Sequence, residues 1–290
     1  TRRCRVSARL STSRAVATYC VVIPACIVIA LPLVWLAIAS LKTSEDFFQS
    51  PFLPRGEGLF GVAWDRLTLD NFRNLFDKTG FARALLASSL LASVTATLAT
   101  LICAAAGYAL ARLHFRGKRA AMWLVLGCLI VPAPLLLSPG FAVLYHLSLL
   151  DTFLGIILPA IGPAFGVYLF RQATVSSVPP ELLEAARMDG CSEFRIFWRV
   201  ALPLLQPMIA AFMLITFLGV WNNFINPQVV LQSADKFPLA VMIAQLKDVY
   251  SQDYGLMMAG TMLSILPVAG LFMLLQRDFV AGLTSGAVKG

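Results

Sequence analysis

The sequence predicts an all-α integral membrane protein with six transmembrane helices, and two observations carry that prediction. First, 59% of the 290 residues are hydrophobic and 13% are charged, whereas soluble domains carry about 25% charged residues. Second, six stretches that each reach the roughly 18 to 20 residues of a membrane-crossing helix contain no Asp, Glu, Lys or Arg. These stretches are residues 15–41, 84–111, 120–150, 152–170, 200–234 and 254–276.

The charged residues sort by side of the membrane. With the N-terminus inside, the internal segments 1–15, 112–119, 171–204 and 277–290 carry 15 Lys or Arg and five Asp or Glu. The external segments 42–83, 148–153 and 226–255 carry eight basic and ten acidic residues. An excess of basic residues inside is what the positive-inside rule requires, so both termini are predicted to be cytoplasmic. The net charge of +8 therefore reflects topology and does not indicate a nucleic-acid partner.

The first predicted span, residues 16–41, follows a basic cytoplasmic segment at residues 1–15. Its apolar run is far longer than the roughly 7 to 15 residues of a secretory signal core, and no small-residue cleavage site follows, so we expect a retained anchor. The external segment 42–83 comes next. Within it, LTLDNFRNLF repeats apolar residues at helical spacing, which predicts a short helix capped by Thr68 or Asp70.

Residues 84–276 are predicted to form a core of five further spans. The second span is rich in Ala, Ser and Thr, which let membrane helices approach closely, so we expect it in the interior. Pro132, Pro134 and Pro139 interrupt the third span, either as a packing kink or as a gating element. The fifth span is expected at Leu205–Phe224.

The positions of the cysteines and the composition of the C-terminal tail support two further predictions. The six cysteines all fall in predicted spans or internal segments and form no Cys-x-x-Cys pair, so neither a disulfide nor a metal site is predicted. The C-terminal tail, residues 277–290, is too rich in glycine to form a stable helix by itself.

A charged island at residues 179–203 separates the fourth and fifth spans, and its pattern predicts two short helices that meet at a glycine. Pro180 stands at a helix start, and Gly190 stands where a left-handed residue would end that helix. Ser192 is the predicted N-cap of the second helix, which ends before Pro203. One face of the first helix holds Leu182, Ala185 and Ala186, and one face of the second holds Phe194, Phe197, Trp198 and Ala201.

Two hypotheses explain this island. A hairpin lying on the bilayer would suit the aromatic second helix. The first helix, however, combines small alanines with acidic Glu184 and Asp189, whereas the anionic inner leaflet favours Lys and Arg. A small, acidic helix is typical of a segment that docks in a groove of another protein, and we favour that hypothesis.

The island also carries a spaced motif. It consists of Glu184-Ala185-Ala186, then Gly190, then Val200, then Leu202-Pro203. This motif resembles the signature of bacterial ABC importer permeases, Glu-Ala-Ala, three residues, Gly, nine residues, Ile, one residue, Leu-Pro, with Val200 in place of the isoleucine. GYALAR at 107–112, WNNF at 221–224 and the terminal GLTSGAVKG extend the resemblance over essentially the whole chain, to the smaller permease of the maltose-transporter class of binding-protein-dependent carbohydrate importers.

The resemblance implies the type I ABC importer permease fold and a set of partners. These are a homologous second permease that completes the pathway, an ATPase subunit dimer, an extracytoplasmic solute-binding protein and the lipid bilayer of the bacterial inner membrane. ATP and Mg would be bound by the ATPase subunits, so no cofactor, metal ion or catalytic residue is expected in this chain. Members of the class carry sugars, sugar alcohols or glycerol phosphate.

The resemblance also assigns roles to residues. The first island helix would be the coupling helix that sits in a cleft of the ATPase, where Glu184 would face a basic side chain. The contact set is Glu184, Ala185, Ala186, Met188, Asp189 and Gly190, supported by Leu182, Phe194, Phe197, Leu202 and Pro203. Tail residues Gly282, Thr284, Gly286 and Lys289 would reach the ATPase dimer. Tyr250, Gln252, Asp253 and Tyr254 would contact the binding protein, with a merely solvated loop as the alternative.

The solute pathway is predicted from side-chain chemistry near the end of the fifth span. Trp221 could stack on a sugar ring beside the amides of Asn222 and Asn223. An interfacial aromatic belt and a helix cap explain the same three residues equally well. Thr216 either faces the cavity or bonds to a neighbouring helix.

The remaining alternatives are a self-contained secondary transporter and a membrane-embedded enzyme. Apart from His146 near one end, the charge-free spans lack the ionisable residues on which ion coupling depends. No H-E-x-x-H or G-x-S-x-G motif supports an enzyme, and no phosphate-binding G-x-x-x-x-G-K-[ST] loop is present. The sequence therefore favours a transport subunit, not an enzyme, whose ATP is hydrolysed elsewhere.

Overall fold

The computed structural model describes residues 12–249 and 253–287. The regular elements in those ranges are helices, apart from one isolated antiparallel bridge between Arg55 and Val62. The predicted all-α class is confirmed. The α-helices of the described residues are α1 (Thr12–Ser40), α2 (Ser44–Gln49), α3 (Asp70–Lys78), α4 (Phe81–Arg112), α5 (Lys118–Ile130), α6 (Leu137–His146), α7 (Phe153–Ala160), α8 (Ala164–Ser177), α9 (Pro180–Met188), α10 (Glu193–Ile196), α11 (Leu202–Leu204), α12 (Gln206–Trp221), α13 (Ile225–Val230), α14 (Leu239–Val249) and α15 (Tyr254–Ala287).

Three helices are long and apolar enough to cross a membrane alone: Thr18–Ser40 within α1, Phe81–Arg112, and Tyr254–Leu274 within α15. Three further spans arise when a bent pair of helices counts as one. The pairs are Lys118–Ile130 with Ala133–His146, bent by 101°, Phe153–Ala160 with Ala164–Ser177, bent by 41°, and Glu193–Leu204 with Gln206–Trp221, bent by 80°. The described residues therefore hold up to six spans. Two of the bends fall within the predicted third and fourth spans, and the other lies between the island and the predicted fifth span.

Proline accounts for two of the breaks. α5 ends at Ile130, and Pro132 precedes a 3-10 turn that leads into α6. α8 begins directly after Pro163. Proline lacks an N–H, clashes with the preceding turn and disfavours helical geometry in the residue before it, so helices end at these points. The third break is a corner at Leu205, and the following helix, α12, lies close to the predicted fifth span.

Helix α4 is the central helix, as its small residues predict. It packs along α8 and α12, and its buried face includes Ala99, Cys103 and Ala104. At Gly107 an added Cβ would lie 2.6 Å from both the Phe170 Cβ and the Arg171 N of α8. Glycine therefore sets the distance between the two helices at this crossing.

The segment between α1 and α4 folds around buried polar groups. Lys42 donates to the Ser50 carbonyl at 2.6 Å, and Asp46 pairs with Arg66 at 2.8 Å. Burial lowers the pKa of Lys42, because the charged ammonium is less well solvated there. Asn71 donates to the carbonyls of Ser40 and Lys42, which fixes the end of α1 against α3.

Two predictions concern short segments, the helix before α4 and the C-terminal tail. The short helix predicted after Thr68 is α3, and the Thr68 hydroxyl accepts a bond from the Asp70 N–H at 3.0 Å. The tail, predicted to be too rich in glycine to form a stable helix by itself, is helical up to Ala287 as a continuation of α15. Extending an existing helix avoids the cost of nucleation, which offsets the penalty of about 1 kcal/mol for each glycine.

Candidate functional site

The charged island folds as the two predicted helices with a glycine elbow between them. Helix α9 starts at Pro180 and is followed by Asp189 and by Gly190, whose φ is +79°. The N–H of Cys191 bonds back to the Ala186 carbonyl at 3.0 Å, as expected for a left-handed helix stop. Ser192 caps α10 by accepting a bond from the Arg195 N–H. The predicted start, stop and cap are confirmed.

Helix α9 is a knob that is fixed on one side and exposed on the other. Leu183 is 1% exposed and belongs to the apolar cluster formed with α4 and α8, and Ala186 packs against that cluster. Glu184 and Asp189 are exposed, and Met188 is 88% exposed. Ala185 and Gly190 of the predicted contact set are exposed as well, and so is Leu182, which was predicted to support that set. The structure therefore presents a small, acidic, partly apolar surface to the surroundings.

The second island helix divides its predicted apolar face. Phe197 and Ala201 are buried, together with Ile196, which the sequence pattern missed. Phe194 is 74% exposed, and its ring packs against the half-exposed Trp198 at 6.0 Å between centroids. The buried face is thus rotated toward Ile196, and the backbone continues as a π-helical turn at Phe197–Ala201 before Leu202, which is half-buried, and Pro203, which is exposed.

A polar contact joins the island to α4. The Glu193 carboxylate accepts from the Tyr108 hydroxyl at 3.2 Å and from the Arg187 Nε at 2.6 Å. Tyr108 is 3% exposed, whereas the Arg187 and Glu193 side chains are 39% and 43% exposed. An ion pair this exposed is screened by water and contributes at most about 1 kcal/mol to stability. The ion pair between Arg187 and Glu193 therefore matters for the elements that it connects more than for its contribution to stability.

Arg112 makes a second connection at the same end of α4. Its Nη2 donates to the carbonyls of Thr174 and Val175 at 3.3 and 3.2 Å, and also to the Val178 carbonyl. A cation is favourable there because the last carbonyls of a helix lack intrahelical donors. Tyr108, Arg112, Arg187 and Glu193 had no predicted role. The sequence GYALAR could have indicated one, since it places a Tyr and an Arg four residues apart at the end of a helix whose residues 84–111 carry no charge.

The predicted pathway residues occupy different environments. Trp221 is 5% exposed and stacks on Phe217 at 5.5 Å, so its ring lies in the core and presents no face to a solute in this arrangement. Asn222 is exposed and donates to the Leu218 carbonyl of its own helix at 3.0 Å. The Asn223 side chain accepts from the Asn226 N–H, and Thr216 is half-buried.

A cavity of about 280 Å³ lies close to this end of α12. Its walls come from the turn before α6, from α6 itself, from α7 and from α13, and are mostly apolar. Asn226 supplies an amide to this wall. Asn226 was not among the predicted pathway residues, although Asn226 lies three residues after Asn223 in the same Asn-rich segment.

The predicted binding-protein contacts are only partly described. Tyr250 and Gln252 lie outside the described residues. Asp253 caps α15 by accepting from the Leu256 N–H and also accepts from the Ser44 hydroxyl. Tyr254 stacks on Phe47 at 5.0 Å. Of the predicted tail contacts, Gly282, Thr284 and Gly286 lie on the last turns of α15, and Lys289 lies outside the described residues.

Asp151 forms a junction between the turn before α7 and the segment after α13. It accepts from the Ser233 hydroxyl and from the N–H groups of Gln232 and Ser233, and pairs with Lys236 at 2.7 Å. The bond from Lys236 and those from Ser233 and Gln232 hold the pKa of Asp151 well below its usual range. Among the described residues, no group of three His, Cys, Asp or Glu side chains could hold a metal ion.

Comparison with known proteins identifies the family. Residues 100–283 match the family described as binding-protein-dependent transport system inner membrane component, which is more than half of the chain. The chain belongs to this family. The matched residues include the island, the C-terminal part of α4 and the whole of α12.

Relatives of the permease align over most of their length. The arabinooligosaccharides transport system permease protein AraQ of Halalkalibacterium halodurans is 38% identical over 260 residues, 89% of this chain and 91% of that protein. The lactose transport system permease protein LacG of Rhizobium radiobacter is 33% identical over 258 residues, 89% of this chain and 90% of that protein. The permease is thus a transport component of a binding-protein-dependent ABC importer and not an enzyme.

A solved structure confirms the fold of the permease. A chain from the crystal structure of a bacterial ABC transporter involved in the import of the acidic polysaccharide alginate aligns with a TM-score of 0.75, covering 93% of this chain and 99% of that chain. The identity of 21% limits this likeness to the fold. The predicted type I ABC importer permease fold, in a multi-pass membrane protein, is therefore confirmed.

Proposed function

We propose that this permease forms half of the translocation pathway of a bacterial inner-membrane importer for a carbohydrate, and that a homologous second permease forms the other half. The relatives whose names state arabinooligosaccharides and lactose support a saccharide as the solute. An extracytoplasmic solute-binding protein delivers it. This delivery is supported by a likeness, at a TM-score of 0.61 and 16% identity, to an alginate ABC transporter in complex with a pentasaccharide-bound periplasmic protein.

The energy comes from a separate ATPase dimer that binds ATP and Mg, and the permease receives it through α9. One observation carries this proposal. Helix α9 exposes Glu184, Met188 and Asp189, while its opposite side is anchored in the bundle through Leu183. An exposed knob with an anchored base can fill a cleft in a partner and pass the movement of that partner to the spans.

The import step follows from this arrangement. When ATP brings the ATPase subunits together, their clefts displace the two α9 helices, and the bundle changes between an inward-facing and an outward-facing packing. The solute shifts this equilibrium only through its different affinity for the two states. Gly282, Thr284 and Gly286, together with Lys289, form a second contact with the ATPase dimer.

We place the solute near the end of α12. Asn222 and Thr216 are candidate pathway residues, and Asn226 joins Asn223 because the two are bonded and Asn226 lines the cavity there. Trp221 contributes packing in the arrangement described and becomes a pathway residue only if α12 repacks. Asp253 and Tyr254 position α15 for the binding-protein contact that Tyr250 and Gln252 complete.

The docking of α9 is tested by photo-cross-linking in the assembled complex. A photoreactive amino acid replaces Met188, and the matched control replaces Phe60, which is 91% exposed between α1 and α4. We expect an adduct with the ATPase subunit from position 188 and none from position 60. Adducts from position 188 with lipid alone, or no adduct, would overturn the assignment of α9 as the docking helix.

The solute class is tested in proteoliposomes that contain the complex. Radiolabelled arabino-oligosaccharide, lactose and trehalose are supplied with the binding protein outside and ATP inside. We expect ATP-dependent accumulation of at least one of these saccharides. Accumulation of none of them, while a glycerol phosphate is imported, would contradict the carbohydrate assignment.

A further inference from the structure

We propose that Tyr108, Glu193 and Arg187 form a positioning relay that transmits the displacement of α9 to the central helix α4. The inference rests on the proposed docking of α9 and adds the route that the movement takes. Tyr108 is buried on α4, Glu193 lies on α10, and the exposed Arg187 of α9 is bonded to Glu193 and is outside the predicted contact set. Each of the three therefore acts through the residues around it.

The elbow between α9 and α10 needs a brace. Gly190 has a φ of +79°, and no atom lies within 4 Å of the place where its Cβ would be, so side-chain packing does not support the backbone there. Two backbone hydrogen bonds close the turn, from the Gly190 N–H to the Arg187 carbonyl and from the Cys191 N–H to the Ala186 carbonyl. The pair between Arg187 and Glu193 spans the elbow with Nε and Oε1 2.6 Å apart. A force on α9 therefore turns α10 with it instead of bending the chain at Gly190.

Glu193 also joins the braced elbow to α4. The Glu193 carboxylate that pairs with Arg187 also accepts a hydrogen bond from the Tyr108 hydroxyl, although Tyr108 and Glu193 lie 85 positions apart in the chain. Tyr108 is 3% exposed, and its ring packs against Phe197 with 5.5 Å between centroids. The hydroxyl is thus the one polar group of a buried ring, and its bond to a carboxylate is directional and charge-assisted.

Movement that reaches Tyr108 also reaches α8. Gly107, the neighbour of Tyr108, lies where α4 and α8 are in closest contact, so neither helix can slide without displacing the other. Arg112 holds the last carbonyls of α8 one turn further along α4. The apolar contacts of Leu183 are not directional and allow sliding, so the bonds of Glu193 determine the direction in which α4 is moved.

The relay is tested with Tyr108→Phe, which removes the hydroxyl and keeps the ring. Tyr168→Phe is the matched control, because within the described ranges the Tyr168 hydroxyl accepts from Gln172 of its own helix α8 and bonds to no other element. The readout is the amount of solute imported per ATP hydrolysed by the complete complex in proteoliposomes. The solute is whichever of radiolabelled arabino-oligosaccharide, lactose and trehalose accumulates.

We expect Tyr108→Phe to lower the import per ATP by about two- to tenfold, the factor that corresponds to one hydrogen bond. Glu193→Gln should lower it as well, Arg187→Lys should retain part of it, and Tyr168→Phe should leave it unchanged. The ATPase adduct from position 188 should persist in every variant, because the docking surface is untouched.

Two results overturn the relay. The first is an import per ATP in Tyr108→Phe equal to that of Tyr168→Phe, with the position-188 adduct intact. The second is a lower melting temperature in Tyr108→Phe with an unchanged import per ATP, which shows a purely structural role. Absence of the adduct in the complex that carries the photoreactive residue at position 188 and no other substitution would instead overturn the docking of α9, so the two failures are distinguishable.

Discussion

At the scale of single residues, glycine determines how closely the central helices approach. Gly107 and Gly166 lie at the contacts of α4 with α8 and of α8 with α12, and an added Cβ at Gly166 would lie 2.4 Å from the Phe212 ring. The abundance of small residues in α4 predicted an interior helix, but sequence alone could not indicate which glycine lies at a crossing. That information depends on the rotation of α8 about its axis, which the pattern of its mostly apolar first half leaves undetermined.

Gly107→Ala should destabilise the permease, because the new Cβ would meet backbone and Cβ atoms of α8 that cannot move independently. Overpacking of this kind costs about 1–3 kcal/mol. Gly127→Ala is the control, since no atom lies within 4 Å of that position on α5, and alanine there should be neutral or stabilising. Melting temperatures of the two purified variants in detergent measure the difference, and equal values would contradict the close contact.

Asp151 predicts a dependence of stability on pH. Its pKa is lowered in the folded permease, first by the bond from Lys236, so its contribution is present above the ordinary value of 3.8 and is lost as pH falls through the lowered pKa. Asp151→Asn should therefore lower the melting temperature by a constant amount from neutral pH down to about pH 5. The difference should shrink at more acidic pH.

The control for Asp151 is Asp235→Asn, an exposed residue on the same segment as Lys236. We expect little change in melting temperature from it at any pH. If Asp151→Asn behaves in the same way, the junction at Asp151 does not stabilise the fold.

At the scale of elements, the island was the part of the chain that sequence analysis predicted best. Pro180, Gly190 and Ser192 are local signals whose physics does not depend on distant parts of the chain, and each one acts as expected. The broken spans were predicted less well. Pro132 indicated an interruption of the third span, but the angle of a bend depends on which neighbours compensate the lost hydrogen bonds.

The left-handed conformation of Gly190 between α9 and α10 leads to a prediction about import. Gly190→Ala should reduce import, because alanine disfavours a φ of +79° by about 1–2 kcal/mol and shifts the angle between α9 and α10. Gly117→Ala is the control, since Gly117 has a φ of +87° and equally open surroundings before α5. Gly190→Asn should retain more import than Gly190→Ala, because asparagine tolerates this conformation.

The comparison of Gly190→Ala with Gly117→Ala requires two measurements, the import per ATP and the melting temperature. Both alanine variants should lose similar stability, and only the change at Gly190 should reduce the import per ATP. An equal loss of import in Gly190→Ala and Gly117→Ala would show that the elbow has no special role in coupling.

At the scale of the whole molecule, composition and the spaced motif were sufficient to predict the class and the family. The number of spans followed from charge-free length, and the motif with its fixed spacing indicated the type of importer. The contact between Tyr108 and Glu193 could not be predicted in this way, because it joins residues 85 positions apart through the packing of α4 on the island. Long-range polar pairs of this kind depend on tertiary structure and leave no local pattern.

The central claim is that the permease moves solute only when an ATPase drives α9. The most direct measurement is accumulation of a radiolabelled saccharide in proteoliposomes that contain either the complete complex with binding protein and ATP, or the permease alone with a proton or sodium gradient. We predict accumulation against the concentration gradient in the first case and none in the second. Uphill accumulation by the permease alone would contradict the account.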